Sequence, residues 1–344
     1  MHASKYLLWV TAATLFVAAV AFGQGKGKAT GKGGVVVPLG LQAIQWPADN
    51  PYSAEKVELG RMLYFDTRLS ADGTVSCASC HAPDQGWTDN APVSTGIKGQ
   101  KGGRSAPATI NRAYSQAQFW DGRAASLEVQ AVGPIANPIE MGETYPNVTK
   151  KLSAIPGYQK LFHAAFGSPD VTVDKVGKAI ATFERTLLSG NSAYDRYKAG
   201  NKRALTSAQV RGMDVFFNKA KCDACHEGSN FTLNSFNNLG VGTDKPNPDE
   251  GRAIVTKKAE DWGAFKTPTL RDIAKSGPYM HDGSLKTLEE VVEFYNKGGI
   301  PNKNLDARMV KLNLTEGEKK DLVEFLKALD GTPIPVVVPT AFPQ

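Results

Sequence analysis

The pentapeptide CASCH, residues 77–81, returns as CDACH at residues 222–226. Each reads C-x-x-C-H, the attachment motif of a c-type haem. The spacing has a chemical reason. Two thiols one helical turn apart reach the two vinyl groups of one porphyrin, and the histidine that follows presents its imidazole to the iron. Cys77 and Cys80 would then hold one haem with His81 on its iron, and Cys222 and Cys225 a second with His226. A redox dithiol or half a zinc site is the bland alternative for one such motif. Two motifs that together use all four cysteines of the chain argue against it. The expected cofactors are two covalently bound haem c groups.

Around these motifs the chain has 344 residues, enough for two domains. Lys5 is followed by an apolar run, YLLWVTAATLFVAAVAFG, that ends in small residues at Gly23. This predicts a signal peptide over 1–23 and export to the periplasm, where haem attachment takes place. A retained membrane anchor is the runner-up, but the run is short for a span, and no later segment could cross a bilayer. Residues 24–48 open with QGKGKATGKGG and read as a flexible leader. Lys5, Lys26, Lys28 and Lys32 lie in residues 1–33 with no acid. Removing these four from a formal charge of +6 leaves +2 on the remainder. That balance offers no reason to expect nucleic-acid binding.

The flanks of the two motifs repeat. GRMLYF (60–65) precedes the first and GMDVFF (212–217) the second, each an amphipathic helix ahead of a loop. Further helices are expected at 173–189, at 287–295 with a capping box from Thr287 to Glu290, and at 315–329 with one from Thr315 to Glu318. Thr206 and Gln209 cap the first helix of the second half. Gly- and Pro-rich loops join them without strand alternation. The expected fold is mainly α: two cytochrome-c-like haem domains with long loops. The first spans 49–200 and the second 201–330, and a Pro-rich tail over 331–344 is too rich in proline for helix.

Residues 103–142, GRSAPATINRAYSQAQFWDGRAASLEVQAVGPIANPIEMG, with TPTLRDIA and PYMHDGS downstream, resemble the bacterial diheme cytochrome c peroxidase and MauG family over nearly all of 50–330. The resemblance implies that Glu140 is the acid above a peroxidatic first haem, moving a proton during O–O cleavage. It implies that Gln130 is a pocket amide and Trp120 an electron relay between the haems. Read alone, these would be a loop acid, a surface amide and a core aromatic. The family's typical members place a histidine in the region corresponding to TGIKGQKGGR (95–104) as a cap on the resting first haem. This chain has Ile97 there, and His163 reads as a surface residue of another helix. The first haem should therefore be open to peroxide, as in the MauG branch. A calcium ion between the haems is implied too, at the Ser105 side chain and the main-chain carbonyls of Ser276 and Pro278. Serine at the first position departs from the family's usual asparagine.

The second haem typically carries a methionine as sixth ligand. Counting forward from His281, that position holds Tyr295, and Met309 is the only loose methionine. Leu288, Val291, Val292 and Tyr295 share one helical stripe, so the tyrosine faces inward. The bland reading is a core tyrosine with its hydroxyl hydrogen-bonded. As a ligand, a hard anionic oxygen would favour oxidised iron.

These readings imply a periplasmic diheme peroxidase that consumes hydrogen peroxide and oxidises a redox partner: a small cytochrome, a cupredoxin or a protein substrate. It would need no membrane after signal cleavage, and a homodimer is implied by the resemblance. The alternatives are an ordinary cytochrome-c peroxidase with a small cytochrome donor, and a non-catalytic diheme electron carrier.

Overall fold

The computed structural model describes residues 34–344; the expected signal peptide and the start of the leader lie outside them. The chain is mainly helical. In order, the helices are α1 (Ala54–Phe65), α2 (Cys77–Cys80), α3 (Leu127–Ala136), α4 (Tyr145–Ser153), α5 (Pro156–Phe166), α6 (Val173–Glu184), α7 (Ala193–Lys198), α8 (Ser207–Asp214), α9 (Ala253–Thr256), α10 (Leu288–Lys297) and α11 (Glu316–Lys327). The strands are β1 (Ser189–Gly190), β2 (Phe236–Asn237), β3 (Phe265–Lys266) and β4 (Thr332–Pro333). β1 pairs with β4 and β2 with β3, both antiparallel. Among the described residues no helix is long and apolar enough to cross a membrane.

Two clusters of buried apolar side chains form. One gathers Leu59, Leu63, Tyr64, Ile135, Ile180 and Phe183, the other Phe216, Phe231, Leu288, Val292, Leu322 and Phe325. Each is organised by one close helix crossing. A Cβ at Gly60 of α1 would sit 2.0 Å from the Ala179 carbonyl oxygen of α6. A Cβ at Gly212 of α8 would sit 1.8 Å from that of Asp321 in α11. No side chain fits either crossing, which explains why both repeated helices carry glycine at this place.

The internal repeat runs further than the flanks of the motifs. Phe119 and Met280 both take positive φ, 65° and 72°, and so do Gly122 and Gly283 in the Asp-Gly turns just downstream. The bridges Gln118–Ala124 and Tyr279–Leu285 close the two turns. Ser126 then caps α3, and Thr287 caps α10. Trp120 thus occupies in the first half the place that His281 occupies in the second.

The expected capping boxes form at Thr206–Gln209 and Thr315–Glu318. At α10 the box is half made. Thr287 accepts the Glu290 N–H, but the Glu290 carboxylate accepts the Lys286 N–H instead of the Thr287 one. The chain enters α10 from the Tyr279–Leu285 bridge, which aims the Lys286 N–H at that carboxylate. The helix expected over 173–189 stops at Glu184. Its continuation is pulled away because the Asn111 side chain bonds both backbone groups of Ser189 and β4 pairs with β1.

Part of the expected flexible leader is docked. The Gly40 carbonyl accepts from Arg271, the Gln42 carbonyl accepts from Tyr114, and Ile44 is buried. The Pro-rich tail runs back to the first half, where Arg61 donates to the Val337 carbonyl and the Gly157 N–H to that of Gln344.

Candidate functional site: two Cys-His motifs flanking one seam

Helix α2 begins with Cys77 and ends with Cys80, and Ser76 and Ser79 cap it reciprocally. The second motif starts with a single 3-10 turn, Cys222–Ala224. In both, the histidine N–H closes back on the first cysteine's carbonyl: His81 on Cys77 at 3.0 Å and His226 on Cys222 at 2.9 Å. No disulfide joins any of the four cysteines among the described residues. Burial pushes Cys80 up to about 11 and Cys222 up to about 12. An activated redox dithiol needs the opposite shift.

Burial also holds both imidazoles neutral, lowering His81 and His226 to about 4. His226 Nδ1 lies 3.0 Å from the Phe231 carbonyl oxygen. Such a bond fixes the tautomer and leaves Nε2 for a metal. At the first site the Trp87 and Pro107 carbonyls approach the His81 ring, but its buried Nδ1 has no well-formed hydrogen bond. Neutral imidazoles beside protonated paired thiols fit a covalently attached haem at each motif.

The second motif opens into a large apolar cavity lined by Cys222, Cys225, His226, Leu288, Val292 and Tyr295. The Tyr295 hydroxyl makes no hydrogen bond among the described residues. Tyr64, Tyr114, Tyr145, Tyr158 and Tyr279 each spend theirs on a partner. Burial and the Cys222 and Cys225 thiols push the Tyr295 phenol up in this cavity. Met309 lines the same cavity, so the loose methionine and the tyrosine both reach it.

Near the first motif, the Glu140 carboxylate accepts from the Asn137 side chain at 2.7 Å. Burial raises its pKa above the usual 4.5, and its charge reaches both Cys77 and Cys80. The Ile97 N–H bonds the Glu140 carbonyl at 2.9 Å, and the Ile97 side chain is buried. Gln130 is half-buried on α3 and its side-chain amide makes no hydrogen bond among the described residues. His163 is exposed, as expected.

Trp120 lines the cavity of the second motif. Its indole N–H donates to the Ser105 carbonyl at 2.8 Å, and the Ser105 N–H donates to the His281 carbonyl at 2.8 Å. The backbone of one residue thus links the two repeat-related residues. Ser105, Ser276 and Pro278 line the same cavity. The Ser105 hydroxyl and the Ser276 and Pro278 carbonyls form no hydrogen bond within the described residues.

Sequence reasoning missed Asn137, which holds Glu140, and His281, which stacks on Phe265 at 3.6 Å between ring centroids. A signal for His281 existed in the match of FWDG to YMHDG. Also missed were the cations Arg112 and Lys266, which line the seam.

A family model described as di-haem cytochrome c peroxidase matches residues 54–203. The chain is 42% identical over 302 residues to the methylamine utilization protein MauG of Methylorubrum extorquens, covering 87% of this chain and 84% of that protein. It is 39% identical to the cytochrome c551 peroxidase of Nitrosomonas europaea, covering 87% and 88%. A crystal structure of a MauG-like protein associated with microbial copper homeostasis superposes with a TM-score of 0.78. It is 34% identical, with 86% of this chain and 94% of that one covered.

Proposed function

The chain belongs to the di-haem cytochrome c peroxidase family, and from that premise we propose that it is a MauG-like member, exported to the periplasm, that reacts with hydrogen peroxide while fully oxidised. As a member of the family it is a peroxidase with two covalently bound haems, reducing hydrogen peroxide with electrons from a redox partner. When bound, the haems supply the iron at which the peroxide O–O bond breaks and the sites that hold the oxidising equivalents.

The chain's own residues do the rest. Cys77 and Cys80 anchor one haem and His81 is its ligand; Cys222, Cys225 and His226 do the same for the other. In this reading the halves divide at 200/201. Glu140 takes a proton from hydrogen peroxide and returns it to the departing oxygen, which leaves as water. Asn137 fixes one carboxylate oxygen and leaves the other for this work. Burial suits the residue to the role by raising its pKa. Gln130 has an uncommitted amide with which to orient peroxide. Ile97 offers no ligand, so the first site stays open. Trp120 relays electrons across the seam. Ser105, Ser276 and Pro278 hold a calcium ion, and chelation would loosen the seam.

Tyr295 carries the reading. The half-buried tyrosine lines the cavity of His226 with its hydroxyl uncommitted among the described residues, where a ferric ion favours the phenolate. The test is the optical and EPR spectrum of the second haem in Tyr295→Phe. A change in ligand field is expected; an unchanged spectrum would sink the assignment. One observation favours the ordinary His/Met wiring instead, the presence of Met309 on the same cavity wall. That reading expects Met309→Leu, and not Tyr295→Phe, to alter the spectrum, and a small cytochrome as electron donor.

A further inference from the structure

Arg112 and Lys266 are 8% and 4% exposed, and both line the cavity of the second Cys-His motif, beside Trp120, Pro107 and Pro268. Lys266 Nζ makes no hydrogen bond or ion pair among the described residues. Arg112 uses only Nε, which donates to the Ala108 carbonyl at 2.8 Å. The other buried arginines are paired, Arg185 with Glu128 and Arg271 with Asp195. Glu184 is the acid whose charge reaches Arg112, but it forms no ion pair with it, and burial pushes Glu184 up to about 8. Two unpaired cations buried side by side are costly, and each disfavours charge on the other. In the chain alone, desolvation and Arg112 together pull Lys266 down to about 7. An arrangement this unfavourable implies an anion that the chain itself does not supply.

The position of the cations indicates which anion. The charges that act on Cys80, Cys222 and Cys225 come from Asp89, Glu140, Asp223, Asp306 and Arg308, not from Arg112 or Lys266. Arg112 does act on His81. Arg112 therefore lies near the first iron ligand, Lys266 shares with it the cavity of the second, and neither cation is among the charges that act on the thiols. A haem bound by its vinyl edge carries two propionate carboxylates on the opposite edge. We propose that Arg112 and Lys266 form a carboxylate-binding seam that receives haem propionates from the two sites and sets the potentials of both haems. Arg112 offers a planar fork suited to a carboxylate, and Lys266 a compact charge. The backbone N–H of Lys266 also bonds the Trp120 carbonyl at 2.7 Å, so the same strand holds the relay and the counter-charge. The inference rests on the two-haem assignment and is independent of Tyr295.

The test is spectropotentiometry of the holoprotein, with haem content measured alongside. Lys266→Met and Arg112→Gln should lower the midpoint potentials, because an unpaired propionate favours ferric iron. Arg112→Gln should lower the first haem more. Lys266→Arg and Arg112→Lys, which keep the charge, should stay near the parent. If Lys266 only fills space, Lys266→Met would leave both potentials unchanged and stabilise the chain, and that result overturns the proposal while leaving the peroxidase reading intact. Should the neutral variants fail to load haem, resonance Raman of Lys266→Arg decides. The propionate bending bands should shift from the parent's, and identical bands overturn the proposal.

Discussion

Helices α3 and α10 leave matching Asp-Gly turns, begin at Leu127 and Leu288, and each run ten residues. At the eighth position α3 carries Pro134 and α10 carries Tyr295. Proline has no side-chain group to offer a metal, and its carbonyl accepts from the Asn137 and Met141 N–H groups in the loop that carries Glu140. Tyrosine has an oxygen. In the proposed function, one scaffold used twice would build an open pocket with a proton-moving acid at one motif and a pocket with a candidate sixth ligand at the other. The difference lies in the helix downstream of the repeated turn, not in the haem-binding motif itself.

The strongest way to break this contrast is to remove the acid. Glu140→Gln should slow the bimolecular reaction of the all-ferric protein with peroxide by about 10²–10⁴-fold, the usual worth of a general acid-base group. Stopped-flow absorbance measures it. In the parent, the rate should fall as pH is lowered through the carboxyl pKa, because the base form is lost. Burial raises that pKa, so the acid limb lies above the ordinary 4.5. The Gln variant should lack the limb. If the Gln variant keeps the parent's rate and limb, Glu140 is only a loop acid and the first pocket is no more catalytic than the second.

The second pocket is tested by Tyr295→Met. Axial ligands tune haem potentials over about 0.8 V, and exchanging a phenolate for a thioether should raise the second haem's midpoint by a sizeable fraction of that range. The first haem should move far less. Equal shifts in both would mean that the change acts through packing rather than ligation.

Smaller effects probe the shared scaffold. Gly60→Ala and Gly212→Ala each force a Cβ against a backbone carbonyl, and overpacking of this kind costs about 1–3 kcal/mol. Urea unfolding of the holoprotein should show losses of similar size in the two halves. A loss in one only would show that the two crossings are not equivalent.

How much of this was legible in the sequence depended on the range of the interaction. The Cys-x-x-Cys-His motifs, the capping pairs Thr206–Gln209 and Thr315–Glu318, and the Leu288–Tyr295 stripe are local patterns, and each could be read from a few residues. The end of α6 could not, because Asn111 and the distant tail set it. The pairing of Asn137 with Glu140 is local but lacks periodicity. The cavity-facing placement of Arg112 and Lys266 carries no sequence mark at all, since an unpaired buried cation looks like any surface one until the fold encloses it. The docking of residues 40–44 likewise depends on Arg271 and Tyr114, far along the chain.

The smallest expected effect separates the two helix starts of the second half. In α11, Glu318 returns a bond to the Thr315 N–H, so Thr315→Ala disrupts a reciprocal pair and should cost about 1 kcal/mol. In α10, Glu290 is held by Lys286 whether or not Thr287 keeps its hydroxyl. Thr287→Ala should then cost roughly 0.5 kcal/mol, the low end for a cap. Both are read from unfolding midpoints. The informative result is in the spectrum. Tyr295 sits two turns from Thr287 on a helix whose start is fastened twice, once by the cap and once by Lys286. If Thr287→Ala leaves the second haem's spectrum intact while weakening the fold, the distal oxygen is held by the buried stripe of α10. If the spectrum changes, the cap itself positions Tyr295.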